Sequence, residues 1–365
     1  MDEFCKLVAI NHLIQELNQA YGIQSLLETS CLEITLCGYY SLKYTDSFVQ
    51  SLNEELSKTT HLIHKEFFSE DLYNKLMKTL DDSSIAVKHI FDFTQDLLLR
   101  PADVFEVTNQ VFDVDDPIIK GLTFDDDNVN LFQAIEKPLN PQFRTRFRPL
   151  IGMNIDGNKR FFTTSWMVRE ALEEICTNLL PFGTLPSEWG KIDQLKQIAL
   201  KAQNELGRQF ENEVARHIKE KYIAKNDISG FNHISLKREK VPNTNRSVGQ
   251  IDIVAIDKTK RIIYVIDAKC NKTKFFFQTF LTDKQAFQQY EVKLMDKVNW
   301  IKNNKNVVAQ YFKVDSLDDF SVEGFFVSNS LIYFGFFSDI PIIPLDKLLI
   351  YLDKKDIKVL LENNI

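Results

Sequence analysis

Cysteine is scarce and unpaired in this chain. Five residues, Cys5, Cys31, Cys37, Cys176 and Cys270, are odd in number, widely scattered and contain no CxxC pair. That argues against a disulfide framework or a cysteine-built zinc site, and reduced thiols in a cytoplasmic protein are the simplest expectation. No apolar run approaches the 18 or so residues that a membrane-spanning helix requires. The start, Met1-Asp2-Glu3, lacks the basic and then apolar pattern of a secretory leader, so no membrane is expected among the partners. A glycine-rich phosphate loop of the Walker type is absent as well. Positive charge is in deficit: 44 Lys and Arg against 51 Asp and Glu leave a formal charge of −7, unlike proteins that coat nucleic acid through a broad basic field. A local basic patch remains compatible with that balance.

What is present is ordinary globular composition, 44% hydrophobic and 26% charged, with 29 Phe among 365 residues. A chain of this length exceeds what one hydrophobic core usually supports, so two domains are expected. Between about residues 3 and 100 apolar positions recur at three and four, as in Leu7, Ile10, Leu13, Ile14 and Leu17, which predicts a mainly α-helical N-terminal domain. Pro101 breaks that pattern, and the acidic stretch through Asp113, Asp115, Asp116 and Asp125 to Asp127 reads as solvated loop. Arg148 to Thr164 alternates around Asp156-Gly157, a two-residue hairpin signal, and a helical pattern follows from Ser165 to Leu180. With Pro181, Gly183 and Pro186 as punctuation, the boundary is placed near 195, giving domains 1–195 and 196–365. Beyond it the expected order is helix (191–223), strands (232–241, 248–257, 261–269), helix (283–303), strand (322–328) and a closing helix (345–362). The polar loop from Val241 to Ser247 is expected to be mobile and to face a ligand.

The strongest chemical signal is the run from Gln250 to Lys269. A turn centred near Thr259 and Lys260 pairs Asp252 with Asp267, and the two-residue period of a strand puts Lys269 on the same face. Both faces are otherwise apolar, with Ile251, Ile253, Ile262, Tyr264 and Ile266 on one and Val254, Ile256, Ile263 and Val265 on the other, which marks central, buried strands. Burying two adjacent carboxylates costs several kcal/mol unless something pairs with them. A divalent cation such as Mg²⁺ or Mn²⁺ is the natural partner, because hard cations take oxygen ligands and leave positions for water and a phosphate. Such a centre suits phosphodiester cleavage, with the lysine positioning water or balancing charge on the transition state.

These residues resemble the PD-(D/E)XK nuclease superfamily. Ile251-Asp252 stands where that family has Pro-Asp, Asp267-Ala268-Lys269 where it has D/E-x-K, and Gly207, Phe210, Glu211 and Val214 match its Gly-x-x-Phe-Glu-x-x-Val helix. The resemblance covers about residues 200 to 330. It departs at the missing proline before Asp252, and at Ala286, four before Tyr290, where the RecB-like branch carries glutamine. The resemblance implies an α/β restriction-endonuclease-like C-terminal domain with a mixed central sheet flanked by helices. It also implies a metal held by Asp252, Asp267 and Glu211, Lys269 as the catalytic lysine, and nucleic acid, DNA before RNA, as substrate. Glu211 is preferred to Glu213 as the third acid, because it borders the buried stripe of Phe210, Val214 and Ile218.

Other residues are candidates for contact with a phosphate backbone. Gln285, Gln289 and Lys293 run i, i+4, i+8 beside the core stripe of Phe287, Tyr290, Leu294 and Ile301. Residues 231 to 280 hold ten Lys and Arg against four acids, with Lys272 and Lys274 just past Lys269. Solvated surface accounts for the helical run as well, a lysine-rich strand edge guarding against aggregation for part of the local charge, and half-burial for the alternating Gln142 to Arg148. His61 and His64 lack a third ligand, and Cys270 lacks a histidine partner. The expectation is therefore a metal-dependent nuclease, with host defence as one setting and a homodimer or a partner protein as assembly. An RNA-cleaving toxin or a non-catalytic binding module are the rivals.

Overall fold

The structure is a computed structural model in which residues 30–34, 40–44, 70–83, 105–107, 116–124, 147–271, 277–330, 332–336 and 338–355 are described. It is mixed α/β, and it divides into two compact units, Met1–Thr60 with Gly207–Ile365, and His61–Leu206. The division falls within the helix Asp193–Lys219. The early periodic residues Leu7 to Leu17, and His61 and His64, lie outside the described residues. Strands β1 (Ser30–Ile34) and β2 (Tyr40–Tyr44) pair antiparallel, so the described part of the first hundred residues is not all helix.

In the unit His61–Leu206 a helix α1 (Glu70–Ser83) precedes β3 (Phe105–Val107), α2 (Pro117–Leu122), β4 (Thr123–Phe124), β5 (Leu150–Ile155), β6 (Asn158–Thr163) and α3 (Ser165–Glu174). The four strands form one sheet in the order β3-β6-β5-β4, where a mainly helical domain was expected. Periodicity failed here because β3 and β4 are two or three residues long, too short to display a period of two. The β5–β6 hairpin turns at Asp156 and Gly157, whose φ angles of 51° and 77° are those of a two-residue primed turn. Arg148 is buried. Its Nη1 donates to the carbonyls of Lys120 and Thr123 and its Nη2 to both carboxylate oxygens of Glu188, so it binds its own unit and is not available to a nucleic acid. Residues 142–146 of that arginine-phenylalanine run lie outside the described residues.

The other unit holds the part of α4 (Asp193–Lys219) from Gly207 onward, β7 (Ile223–Ile228), the small pair β8 (Gly230–Phe231) and β9 (Ile234–Ser235), β10 (Ile251–Asp257), β11 (Ile262–Lys269), α5 (Phe277–Asn303), α6 (Lys305–Phe312), β12 (Ser321–Ser328), β13 (Ile342–Pro344) and α7 (Leu348–Lys354). Five strands make a mixed sheet, β13-β12-β11-β10-β7, antiparallel from β7 to β11 and parallel from β11 to β13. Val254, Ile256, Ile263 and Val265 pack under Phe287, Leu294, Val298 and Ile301 of α5, with Phe312 of α6. Ile253, Ala255, Tyr264 and Ile266 pack under Phe210, Val214 and Ile218 of α4, with Leu348 and Leu352 of α7. The result is a sheet covered by helices on both faces, which is why β10 and β11 read as continuous apolar runs. Ile251, expected beside Ile253, joins the α5 side instead.

Two elements differ from expectation. The strand expected at 232–241 is instead β7, which starts one turn after α4 ends; its sequence, Ile-Ala-Lys-Asn-Asp-Ile, is polar because it lies at the sheet edge. Within 232–241 the chain turns back at Asn232 (φ 51°), too tightly for a long strand. The loop from Val241 to Ser247 is tied down, since Arg246 pairs with Asp296 of α5 at 3.0 Å.

Candidate active site

The hairpin register is the expected one: Ile253 faces Ile266, and Asp257 faces Ile262. The turn between them is held by the Asp257 carboxylate, which accepts from the backbone amides of Thr259 and Lys260, both at 2.9 Å. One further step along that register sets Asp252 against Asp267. Both aspartates share the parity of Val254, Ile256, Ile263 and Val265, so they point toward α5. Only 4% of the Asp267 side chain and 12% of the Asp252 side chain are exposed.

Each carboxylate oxygen has a neighbour. Asp267 Oδ1 takes a hydrogen bond from Lys269 Nζ, and Asp267 Oδ2 lies 3.3 Å from Nζ of Lys297. Asp252 Oδ1 lies 3.9 Å from the same Lys297 Nζ, and Asp252 Oδ2 accepts from the Ala268 amide at 3.0 Å. Lys269 also lies 5.0 Å from the centre of the Tyr290 ring, in cation–π range. The electrostatics separate the two acids. Burial and then the neighbouring Asp267 raise the carboxyl of Asp252 well above the ordinary range. Burial alone would raise Asp267 too, but Lys297 and Lys269 outweigh it and hold Asp267 below that range, as the ionised member of the pair.

Lys297 was not among the residues singled out from sequence. A signal existed: Phe287, Tyr290, Leu294 and Ile301 follow a 3-4-3-4 spacing if position 297 is included, so a lysine stands in the core stripe of α5. A buried lysine needs an anion, and the two aspartates supply it. Gln285, Gln289 and Lys293, on the preceding turns, are exposed. Lys272 and Lys274 lie outside the described residues.

Glu211 is half-buried on α4, while Glu213 is exposed. Burial raises the Glu211 carboxyl, and its charged neighbours include Lys269 and Asp267, so it belongs to the same electrostatic neighbourhood. Burial, and then Glu213, push the Cys270 thiol up to about 12, out of the range of a useful nucleophile. A second position missed from sequence is Asn329, just past β12. Its amide group both accepts from the Asn271 backbone N–H at 2.8 Å and donates to the Asn271 carbonyl at 3.0 Å, which clamps the chain two residues after Lys269.

In donor type the cluster suits a hard divalent cation, with two buried carboxylates and a third carboxyl near them. Among the described residues no three acids, histidines or cysteines are grouped closely enough to cage a metal unaided. Asp252 and Asp267 could supply two ligands at most, and the remaining positions would fall to water and a phosphate, a division of labour that Mg²⁺ favours. Among the described residues no helix is long and apolar enough to cross a membrane. No protein-family model matches the chain, and neither a curated protein nor a solved structure matches it.

Proposed function

We propose that this chain is a metal-dependent nuclease that hydrolyses phosphodiester bonds, with DNA as the favoured polymer, at a site made of Asp252, Asp267, Lys269 and Glu211. One observation carries this reading: two aspartates on adjacent strands are buried against each other beneath a lysine of the same hairpin, an arrangement that costs several kcal/mol and has no evident value to the fold alone. Apart from the short β8–β9 pair and α6, the order α4, β7, β10, β11, α5, β12 also supports it, since helix, three strands, helix, strand is what the resemblance to PD-(D/E)XK nucleases implies.

Mg²⁺ or Mn²⁺ held by Asp252 and Asp267 would acidify a water and offset charge on the phosphate. The protein supplies the rest. The Ala268 amide fixes one oxygen of Asp252, so the carboxylate is oriented before any ligand arrives. Lys269, 23% exposed, is the cation that an incoming phosphate meets, and Tyr290 and Asp267 hold its ammonium in place. Glu211, whose carboxyl burial raises, would take part as a third acid. Exposed Gln289 and Lys293 on α5 offer contacts for the backbone of the polymer. A homodimer or a partner protein, and a role in defence against foreign DNA, belong to the same proposal.

The test is cleavage of plasmid DNA, single-stranded DNA and total RNA by the purified protein with Mg²⁺ or Mn²⁺. Asp267→Ala and Lys269→Ala are each expected to lower the rate by a factor on the order of 10² or more. Cleavage that survives both substitutions removes the site assignment. A second reading, a binding module that does not cut, is favoured by one observation: Lys269 and Lys297 already balance the two aspartates without a metal. Nucleic-acid binding without cleavage in any of these mixtures selects it.

A further inference from the structure

Lys297 is the buried group that the proposed chemistry leaves without a role. It stands 30 residues from Asp267 in sequence, on another element, with its ammonium facing both carboxylates, 3.3 Å from one and 3.9 Å from the other. A divalent cation bridging Asp252 and Asp267 would need to approach the same two oxygens, Asp267 Oδ2 and Asp252 Oδ1. The other two oxygens are engaged by Lys269 and by the Ala268 amide. Charge makes the conflict sharper. Lys297 and Lys269 already stand against the two aspartates, so an entering cation meets little net negative charge behind low-dielectric walls.

We infer that Lys297 is the resident counter-ion of the Asp252–Asp267 pair and competes with the divalent cation for it, so that the free protein binds metal weakly. This rests on the reading of the pair as a metal site. Lys297 does not face the solvent, as Lys269 partly does; its side chain is 10% exposed, and Leu294, Val298 and Ile301 on the same helix are buried around it. Its own alternative to the aspartates is therefore an anion that enters the site. A phosphodiester is such an anion, and metal and substrate would then reinforce each other's binding.

The experiment measures Mn²⁺ binding to the 365-residue chain by the loss of the free-ion electron paramagnetic resonance signal, alongside the rise in unfolding temperature that Mn²⁺ produces. Wild type is compared with Lys297→Met, Lys297→Gln and Asp267→Asn. Removing the ammonium is expected to tighten Mn²⁺ binding at least tenfold in either neutral variant. Lys297→Gln keeps a hydrogen-bond donor between the carboxylates, so the question remains answerable if Lys297→Met fails to fold. If the neutral variants bind Mn²⁺ no more tightly than wild type, while Asp267→Asn abolishes binding, Lys297 is not a competitor and the metal site stands. If no variant binds Mn²⁺, both the competition and the metal site are overturned.

Discussion

At the scale of single residues, the decisive fact is that two carboxylates share one buried place with two lysines. Asp252 has its carboxyl raised above its unfolded value of 3.8 by burial and by Asp267, so the folded state holds a proton that the unfolded chain has released. The folded chain then binds more protons than the unfolded one, and stability falls as the pH rises above the ordinary carboxylate range. Asp267 acts oppositely, but its contribution is lost only below that range. In the absence of metal, wild type should therefore lose about 1–3 kcal/mol relative to Asp252→Asn between pH 4 and pH 8, as read from urea midpoints. Parallel curves for the two proteins would show that Asp252 is ionised throughout. Asp252, Asp267 and Lys269 were legible in sequence because a single hairpin carries all three, and a period of two decides their face. Lys297 was hidden because its partners are long-range: nothing local to α5 says which anion a lysine in its core stripe will meet.

At the scale of elements, the turn of the β10–β11 hairpin sets the register on which the site depends. A slip of one residue would put Asp252 and Asp267 on opposite faces. Asp257 holds that turn through two backbone amides, and Arg261 closes it in the left-handed region at φ 54°. Asp257→Ala is expected to cost about 1–2 kcal/mol, because two amides lose their acceptor at a partly buried turn. Unchanged thermal stability would mean that apolar packing alone fixes the register. The long helices and the two central strands were readable, since each carries a clear period or a continuous apolar run. β7 was not. An edge strand with one side unpaired tolerates lysine, asparagine and aspartate, so it lacks the apolar signature of its neighbours, and β13, with three residues, is too short to have one.

At the scale of the whole molecule, two units with separate cores should unfold as more than one cooperative block. Glu188→Ala removes the carboxylate that pairs with the buried Arg148 guanidinium in the unit His61–Leu206 and is expected to cost about 3–5 kcal/mol there. Phe287→Ala opens a cavity under α5 in the other unit at a similar cost, about 3–5 kcal/mol. Scanning calorimetry should assign the two losses to different transitions, and one shared transition shifting equally in both variants would argue for a single cooperative body. The amino-acid sequence by itself determined the α/β character of the second half, the central hairpin and the three residues it brings together, because those follow from local periods and short-range pairing. Tertiary structure alone decided that the short β3 and β4 join the β5–β6 hairpin in a four-stranded sheet, and that Lys297 lies against the two buried aspartates. Those outcomes depend on which distant surfaces pack together, and burial of a charge becomes visible only when its partner, tens of residues away, has been brought beside it.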